Sequence, residues 1–186
     1  MINVPQIIEE TFTESAWPIT PAQAKQYVKQ TLNLPAEDDV IEMLISSSIR
    51  SAQSYTDQLM ITTGDYTVRV EVEGYDEEEG ATIIPLPYGG GVISNLSFAD
   101  IEDAGGEDVD INDYPYIIKG RKLIFKNQDL AGFTMKLTYT AARSSNDQFK
   151  EPILAVFAEK YVNRNEQNFS KIMEILGPYV NYELWA

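Results

Sequence analysis

FTMKLTYTAARSSNDQFKEPILAVFAEKYVNRNEQ, residues 133–167, is the stretch of this 186-residue chain that most constrains the fold. Its first part alternates with a period of two. Met135, Leu137 and Tyr139 fall on one face of an extended strand, and Lys136 and Thr138 fall on the other. A strand with one buried face is therefore expected at residues 134–140, followed by a short polar turn.

The second part of the stretch has the period of an amphipathic helix. Asn146 or Asp147 is expected to cap it, and Pro152 is tolerated in its first turns. Its apolar arc comprises Ile153, Leu154, Phe157, Ala158, Tyr161 and Val162. A last helix is predicted over residues 168–176, ending at the stop signal Gly177-Pro178. The stretch thus joins a sheet to a group of helices.

Two further helices are predicted near the N-terminus. Thr20 is a candidate N-cap, with Pro21 at the first helical position and Gln23 at the capping-box position. This helix should run to residue 32, and a second helix over residues 37–59 should follow it as a helical hairpin. Residues 1–19 show no clear period and are expected to form an N-terminal arm.

The middle of the chain is rich in strand signals. Residues 67–73 alternate valines with charged residues, and further strands are predicted over residues 81–86, 92–101, 114–118 and 122–125. The predicted fold class is α+β, in which the N-terminal helical hairpin and the C-terminal helices pack together and an antiparallel β-sheet domain is inserted. The predicted parts are the arm 1–19, the hairpin 20–60, the β region 61–142, the C-terminal helices 143–177 and an aromatic tail 178–186.

Composition narrows the classes of function. The chain has no histidine and no cysteine, so Ser-His-Asp and Cys-His catalysis and sites with histidine or thiolate ligands are excluded. No apolar run reaches the roughly 18–20 residues of a membrane helix, and no basic region of a signal peptide opens the sequence. We expect a protein that is not an enzyme and needs no cofactor.

The net charge of −15 is unevenly distributed. Residues 61–113 hold fourteen acidic residues and one basic residue, Arg69, whereas residues 114–186 hold ten basic and seven acidic residues. A protein that grips DNA needs a basic surface, so the acidic middle is expected to repel DNA or simply to keep the protein soluble.

Three acidic or glycine-rich segments resemble chemical sites only superficially. Asp76, Glu77, Glu78 and Glu79 are consecutive, so their carboxylates alternate in direction and favour a solvated hairpin tip over a metal site. Residues 103–113 have the odd spacing of a calcium loop but lack its terminal bidentate Glu, and residues 89–91 lack the Lys-Ser/Thr of a phosphate loop. Structural turns are the preferred interpretation of all three.

Two other groups are candidates for contact with partners. Lys119, Arg121, Lys122 and Lys126 surround a predicted hairpin and could meet nucleic acid or the acidic surface of a neighbouring copy. Beyond the last helix lie the apolar residues of the tail, which could dock onto a partner or fold back on the helices: Tyr179, Tyr182, Leu184 and Trp185.

The order of these elements resembles the head–tail connector family of tailed bacteriophages, also called head-completion or adaptor proteins. The resemblance rests on four short segments: residues 20–25 (TPAQAK), 137–141 (LTYTA), 161–166 (YVNRNE) and 175–179 (ILGPY). It spans about residues 19–180. The chain departs from the family in having Ala142 where glycine is usual, and in its longer acidic middle.

The resemblance implies a structural virion protein that forms a closed ring of twelve copies in the head–tail neck, assembled in the host cytoplasm. Its partners would be the portal protein, neighbouring copies and a downstream neck or tail protein. DNA would pass without specific binding, with the acidic hairpin of residues 76–79 facing the lumen and the lysine–arginine cluster lying between subunits. The alternatives are another neck or tail-completion protein, or a carboxylate-based metal-dependent enzyme.

Overall fold

The computed structural model describes residues 5–32, 34, 36–88, 91–163 and 169–180. The chain divides into two compact units. A β unit combines Met1–Phe12 with Thr63–Ala142, and a helical unit combines Thr13–Thr62 with Arg143–Ala186. Helices and antiparallel sheets together confirm the predicted α+β class.

The helical unit contains α1 (Pro21–Gln30), α2 (Asp38–Thr56), α3 (Lys150–Val162) and α4 (Phe169–Leu176). The predicted capping box at the start of α1 is confirmed. The Gln23 amide N–H donates to Thr20 Oγ1 at 3.2 Å, and the Thr20 amide N–H donates to Gln23 Oε1 at 2.8 Å. Both ends of the box thus satisfy backbone donors that the first helical turn leaves open.

Helix α2 ends earlier than predicted. Asp57, at φ 52°, turns the backbone into the left-handed region, although buried apolar residues continue as far as Ile61. Gln53, which the helical period places on the polar face, is buried, and its Oε1 accepts from the Met60 amide N–H at 2.9 Å. The apolar run after the helix therefore belongs to the core without being helical.

Helix α3 is the central helix of the unit and is buried on nearly all sides. A 3₁₀ turn at Asp147–Phe149 precedes it, so the expected Asn146 or Asp147 cap is replaced by Phe149. Val162 is 55% exposed, although it was expected on the apolar arc. Glu159 and Lys160 are buried instead. A helix with neighbours on several sides has no single apolar face, which is why the period misassigned these positions.

The chain leaves and re-enters the helical unit at one point. The Arg143 amide N–H donates to the Thr62 carbonyl at 2.8 Å, and the Thr62 amide N–H donates to the Ala16 carbonyl at 3.0 Å. The Arg143 guanidinium donates to the Leu59 carbonyl and lies 4.7 Å from the centre of the Phe149 ring. Burial lowers the pKa of Arg143 from its ordinary value. The sequence did not identify this junction.

The β unit contains two antiparallel sheets. The first has the order β1-β2-β7-β4, formed by β1 (Gln6–Thr11), β2 (Thr63–Glu71), β7 (Thr134–Ala142) and β4 (Val92–Glu102). The second has the order β3-β6-β5, formed by β3 (Ala81–Pro85), β6 (Lys122–Lys126) and β5 (Ile117–Lys119). The strand predicted over residues 114–118 is observed as β5, which begins later, at Ile117, and has three residues.

Strand β1 corrects the expectation of an arm over residues 1–19. It pairs with β2 in antiparallel register, from Gln6 opposite Arg69 to Thr11 opposite Asp65. A bulge between Ile7 and Glu9 shifts the register and breaks the period of two. A bulged edge strand leaves little alternation in the sequence, so it was missed.

Aromatic side chains build the core of the β unit. Tyr66 of β2 and Tyr139 of β7 stack with ring centres 5.6 Å apart, and Tyr88 meets Tyr66 edge-on at 5.2 Å. Tyr116 lies between Phe98 of β4 and Phe125 of β6, at 5.0 and 5.8 Å. Because Phe98 and Phe125 belong to different sheets, the Tyr116 ring bridges the two sheets.

Candidate interaction surfaces

The predicted lysine–arginine cluster lies on a two-stranded ribbon, residues 117–126, which we call the basic hairpin. Lys119 of β5 pairs directly with Lys122 of β6, and Gly120, at φ 61°, opens the two-residue turn between them. Lys119, Lys122 and Lys126 are exposed. The backbone carbonyl of Arg121 accepts from the Leu86 amide N–H at 2.7 Å, so the turn is anchored to the rest of the unit.

The outer face of the three-stranded sheet, to which the basic hairpin belongs, carries three isoleucines that we call the isoleucine row. Ile117 of β5 is opposite Ile124 of β6, which is opposite Ile83 of β3. Residues directly opposite share a face, and so do residues two apart in one strand. Lys119, Lys122 and Lys126 therefore lie on the same face as the isoleucine row. Ile117 is 46% exposed, so this face combines apolar surface with a rim of positive charge.

The acidic hairpin at residues 76–79 has a local structural role for one of its carboxylates. Asp76 Oδ1 accepts from the amide N–H groups of Glu78 at 3.1 Å and Glu79 at 3.0 Å, and Gly80 completes the turn at φ 61°. Glu77, Glu78 and Glu79 are exposed. The structure thus brings the four acids together at one turn, with Asp76 shaping it and the three glutamates facing solvent.

The acidic loop, residues 103–113, is built in the same way. Asp103 Oδ1 accepts from the Gly105 amide at 2.8 Å and the Glu107 amide at 3.0 Å. Asp110 Oδ1 accepts from the Asn112 amide at 2.9 Å. The remaining carboxylates of the loop are exposed: Glu107, Asp108 and Asp113. Its apolar residues, Val109 and Ile111, are half-buried.

A groove of about 360 Å³ runs along the four-stranded sheet. Its lining is mixed in charge, with Arg69 and Lys136 on neighbouring strands and Asp100 and Glu102 on β4. Asp100 has φ 49° and lies within a bulge of β4 between Ala99 and Glu102. The bulge interrupts the regular pairing of this edge strand with β7.

Of the predicted docking residues in the tail, Tyr179 is described by the structure. It is half-buried, its ring centre lies 6.3 Å from that of Phe149, and its carbonyl accepts from Gln58 Nε2. Tyr179 therefore packs within the helical unit. Tyr182, Leu184 and Trp185 lie outside the described residues, as does residue Arg164 of the sequence motif at the end of α3.

Buried charge in the helical unit was not anticipated from the sequence. Lys160 Nζ donates to the Ser47 carbonyl at 2.9 Å, Ser47 Oγ at 2.8 Å and Ser51 Oγ at 2.7 Å. Burial lowers the pKa of Lys160. Glu159 accepts from Lys171 of α4 at 2.9 Å, and this bond raises the pKa of Lys171. Ser51 and Lys160 are 109 residues apart, so their hydrogen bond leaves no local signal in the sequence.

Within the described ranges, no group of three or more acidic side chains is arranged to hold a metal ion. No helix among the same residues has both the length and the apolar character needed to cross a membrane.

The chain was compared with known proteins at the levels of sequence and fold. No protein-family model matches it, and no curated protein matches it. Its fold is similar to that of a chain in a solved structure titled "Virion of native gene transfer agent (GTA) particle". The TM-score is 0.54, the sequence identity is 13%, and the match covers 93% of this chain and 94% of the other. At this identity the likeness is one of fold.

Proposed function

We propose that this chain is a non-enzymatic structural protein of a phage-like virion, and that it serves as a head–tail connector in a ring docked under the portal. The observation that carries the proposal is the similarity of fold to a chain of a gene transfer agent virion, which extends over 93% of this chain. Both units are included in a match of that extent, so the likeness concerns the whole architecture and not one common motif.

The more specific role of head–tail connector is supported by the sequence resemblance to that family, in addition to the similarity of fold. Two of its segments, residues 20–25 and 137–141, lie at the start of α1 and within β7. The proposed partners are the portal protein, neighbouring copies in a ring of twelve and a downstream neck or tail protein. The ring would extend the DNA channel, and the protein would reside in the neck of the virion after assembly in the host cytoplasm.

The charge distribution is compatible with a DNA channel. The β unit holds 17 acidic and 6 basic residues, so it carries −11 of the net charge of −15. A conduit should not hold its cargo tightly, and a negative lumen repels phosphate. The exposed glutamates of the acidic hairpin at residues 76–79 are the proposed lumen-facing groups.

Electron microscopy of the protein mixed with its portal protein tests the proposal. We expect a ring of density attached to the outer end of the portal, coaxial with its channel. Attachment to tail tips or to capsid faces, or no attachment at all, would refute the connector role. Density further down the neck would assign the chain to another neck or tail-completion protein.

The C-terminal residues give a second test. Because Tyr179 packs in the helical unit, a truncation should begin after Val180, so that only residues 181–186 are removed. We expect the truncated protein to fold with unchanged circular dichroism but to lose portal attachment, since Leu184 and Trp185 are the proposed anchors. Normal attachment of the truncated protein would contradict the docking role of the tail.

A further inference from the structure

We infer that the outer face of the three-stranded sheet, formed by the isoleucine row and the basic hairpin, binds the acidic loop of a second copy of this chain. The inference deepens the proposed function and rests on it, since it names the surfaces through which neighbouring connector subunits would join.

Strand β5 is the most exposed edge strand of the β unit among the described residues. Edge strands invite pairing with other chains unless bulges, prolines, charges or burial protect them. Strand β1 carries a bulge, β4 carries two, and β3 is largely buried and ends in Pro85. Strand β5 has no bulge, all three of its residues are exposed, and it follows Tyr116, which is 37% exposed. Its short length and Lys119 protect the edge against strand pairing, so the surface that it offers to a partner is its outer face.

Among the described residues, the lysines beside this edge form no ion pair. Lys25, Lys150 and Lys171 of the helical unit pair with carboxylates at 3.0, 2.7 and 2.9 Å. In the part of the chain that the structure describes, no carboxylate lies within 4.0 Å of Lys119, Lys122 or Lys126. Like charges directly opposite each other destabilise a sheet. The Lys119–Lys122 pair is therefore a local conflict that an acidic partner would relieve.

The acidic loop is the better complement of the two acidic segments. It presents Glu107, Asp108 and Asp113 to solvent and adds the half-buried Val109 and Ile111, so it offers apolar surface within an acidic rim. The acidic hairpin at residues 76–79 offers no apolar side chain. The loop and the basic hairpin are different segments of the chain, so a contact between them across two copies is heterologous, which is the type of contact that builds closed rings.

The test is reciprocal charge reversal measured by sedimentation velocity at several protein concentrations. One variant carries Lys119→Glu, Lys122→Glu and Lys126→Glu, and the other carries Glu107→Lys, Asp108→Lys and Asp113→Lys. Asp103 and Asp110 stay unchanged because their side chains hold the turns of the loop. Each variant alone should associate roughly tenfold or more weakly than the unmodified chain, and an equimolar mixture should recover association.

Recovery in the mixture also controls for folding, since misfolded variants could not restore each other. The inference is overturned if the unmodified chain stays monomeric throughout, if either variant alone associates normally, or if the mixture stays monomeric. Fluorescence anisotropy with a labelled DNA duplex provides a further arm. If the unmodified chain binds the duplex and the variant Lys119→Glu/Lys122→Glu/Lys126→Glu does not, the basic hairpin binds nucleic acid. That result would also overturn the inference.

Failure of the proposed interface can be distinguished from failure of the proposed connector role. Recovery of association without attachment to the portal would refute the connector role and leave the interface standing. If the variant Lys119→Glu/Lys122→Glu/Lys126→Glu still forms a complete ring on the portal, the interface is refuted and the connector role stands.

Discussion

Lys160 shows how a single residue can determine the stability of the helical unit. Its ammonium is buried, and its three acceptors from Ser47 and Ser51 are all uncharged. A buried charge is tolerated only when its hydrogen bonds are made. The two serine hydroxyls supply two of the three acceptors, so their removal should cost more than removal of the charge itself.

The double variant Ser47→Ala/Ser51→Ala should lower the free energy of unfolding by about 1–3 kcal/mol, because the ammonium keeps only the Ser47 carbonyl. Lys160→Met should cost less, since the hydroxyls can bond to carbonyls one turn back, as Ser48 Oγ bonds to the Leu44 carbonyl at 2.6 Å. Urea denaturation measures both. A larger loss for Lys160→Met than for the serine variant would contradict this account.

The same lysine predicts a pH dependence. Burial lowers its pKa in the folded state below 10.5, so between the folded and unfolded values the unfolded chain binds the extra proton. Raising the pH toward 10.5 should therefore increase the free energy of unfolding of the unmodified chain relative to that of Lys160→Met. The difference in free energy of unfolding between the two proteins is the measurement. A difference that moves in the opposite direction would show that burial does not control this group.

Thr20 is the residue whose role was fully predicted. Thr20→Ala removes the acceptor for the Gln23 amide and should lower the free energy of unfolding by about 1 kcal/mol. Ser54→Ala, on an exposed position of α2, is the matched control and should change it by less than about 0.5 kcal/mol. Equal losses in the two variants, measured by urea denaturation, would argue against the capping role.

At the scale of elements, strong periodicity determined what could be predicted. Strands β2, β6 and β7 alternate cleanly, and their positions were anticipated because each has one buried face. Strand β1 could not be anticipated, since its register shifts at a bulge. Helix α3 was located, but its buried face was not, because α2 and α4 supply polar partners for Lys160 and Glu159.

The candidate surfaces were predicted less completely than the elements. The basic hairpin and the acidic hairpin at residues 76–79 were located from groups of like charge in the sequence. The isoleucine row was not, because Ile83, Ile117 and Ile124 become neighbours only through the pairing of three strands. The two bulges of β4 were also missed, since Asn95 and Asp100 occur within an ordinary strand pattern.

Strand β4 depends on a residue that tolerates left-handed backbone at position 100. Asp100→Val should lower the free energy of unfolding by about 1–2 kcal/mol, because a β-branched side chain at φ 49° clashes with its own backbone. Asp100→Gly should be tolerated, since glycine adopts this conformation freely. Thermal unfolding of the two variants measures the contrast. Equal destabilisation would indicate that the carboxylate, and not the backbone, matters at this position.

At the scale of the whole molecule, the acidity of the β unit has two components. Asp76, Asp103, Asp110 and Asp129 each accept from an amide N–H two residues later and so shape turns. Glu77, Glu78 and Glu79 are exposed and accept no such bond in the described contacts, so they are available for electrostatics. These three glutamates can be altered without removing a hydrogen bond that shapes a turn.

The lumen-facing assignment of the acidic hairpin can be tested on that basis. In a virion, Glu77→Lys/Glu78→Lys/Glu79→Lys should slow DNA ejection, because positive groups in the channel would hold phosphates. Asp76 is kept because it forms the turn. The matched glutamine variant removes charge without reversing it and should change ejection less. If DNA ejection by the variant Glu77→Lys/Glu78→Lys/Glu79→Lys has unchanged kinetics, the acidic hairpin lies outside the channel.

The junction at Thr62 and Arg143 also has a consequence for synthesis on the ribosome. Helices α1 and α2 emerge before α3, which packs against both and follows only after the 80 residues of Thr63–Ala142. At typical rates of about 5–20 residues per second, those residues take roughly 4–16 s to translate. For that interval α2, whose Ile41, Ile45 and Ile49 are buried in the folded chain, lacks its contacts with α3. We therefore expect the nascent chain to expose apolar surface of the kind that chaperones bind.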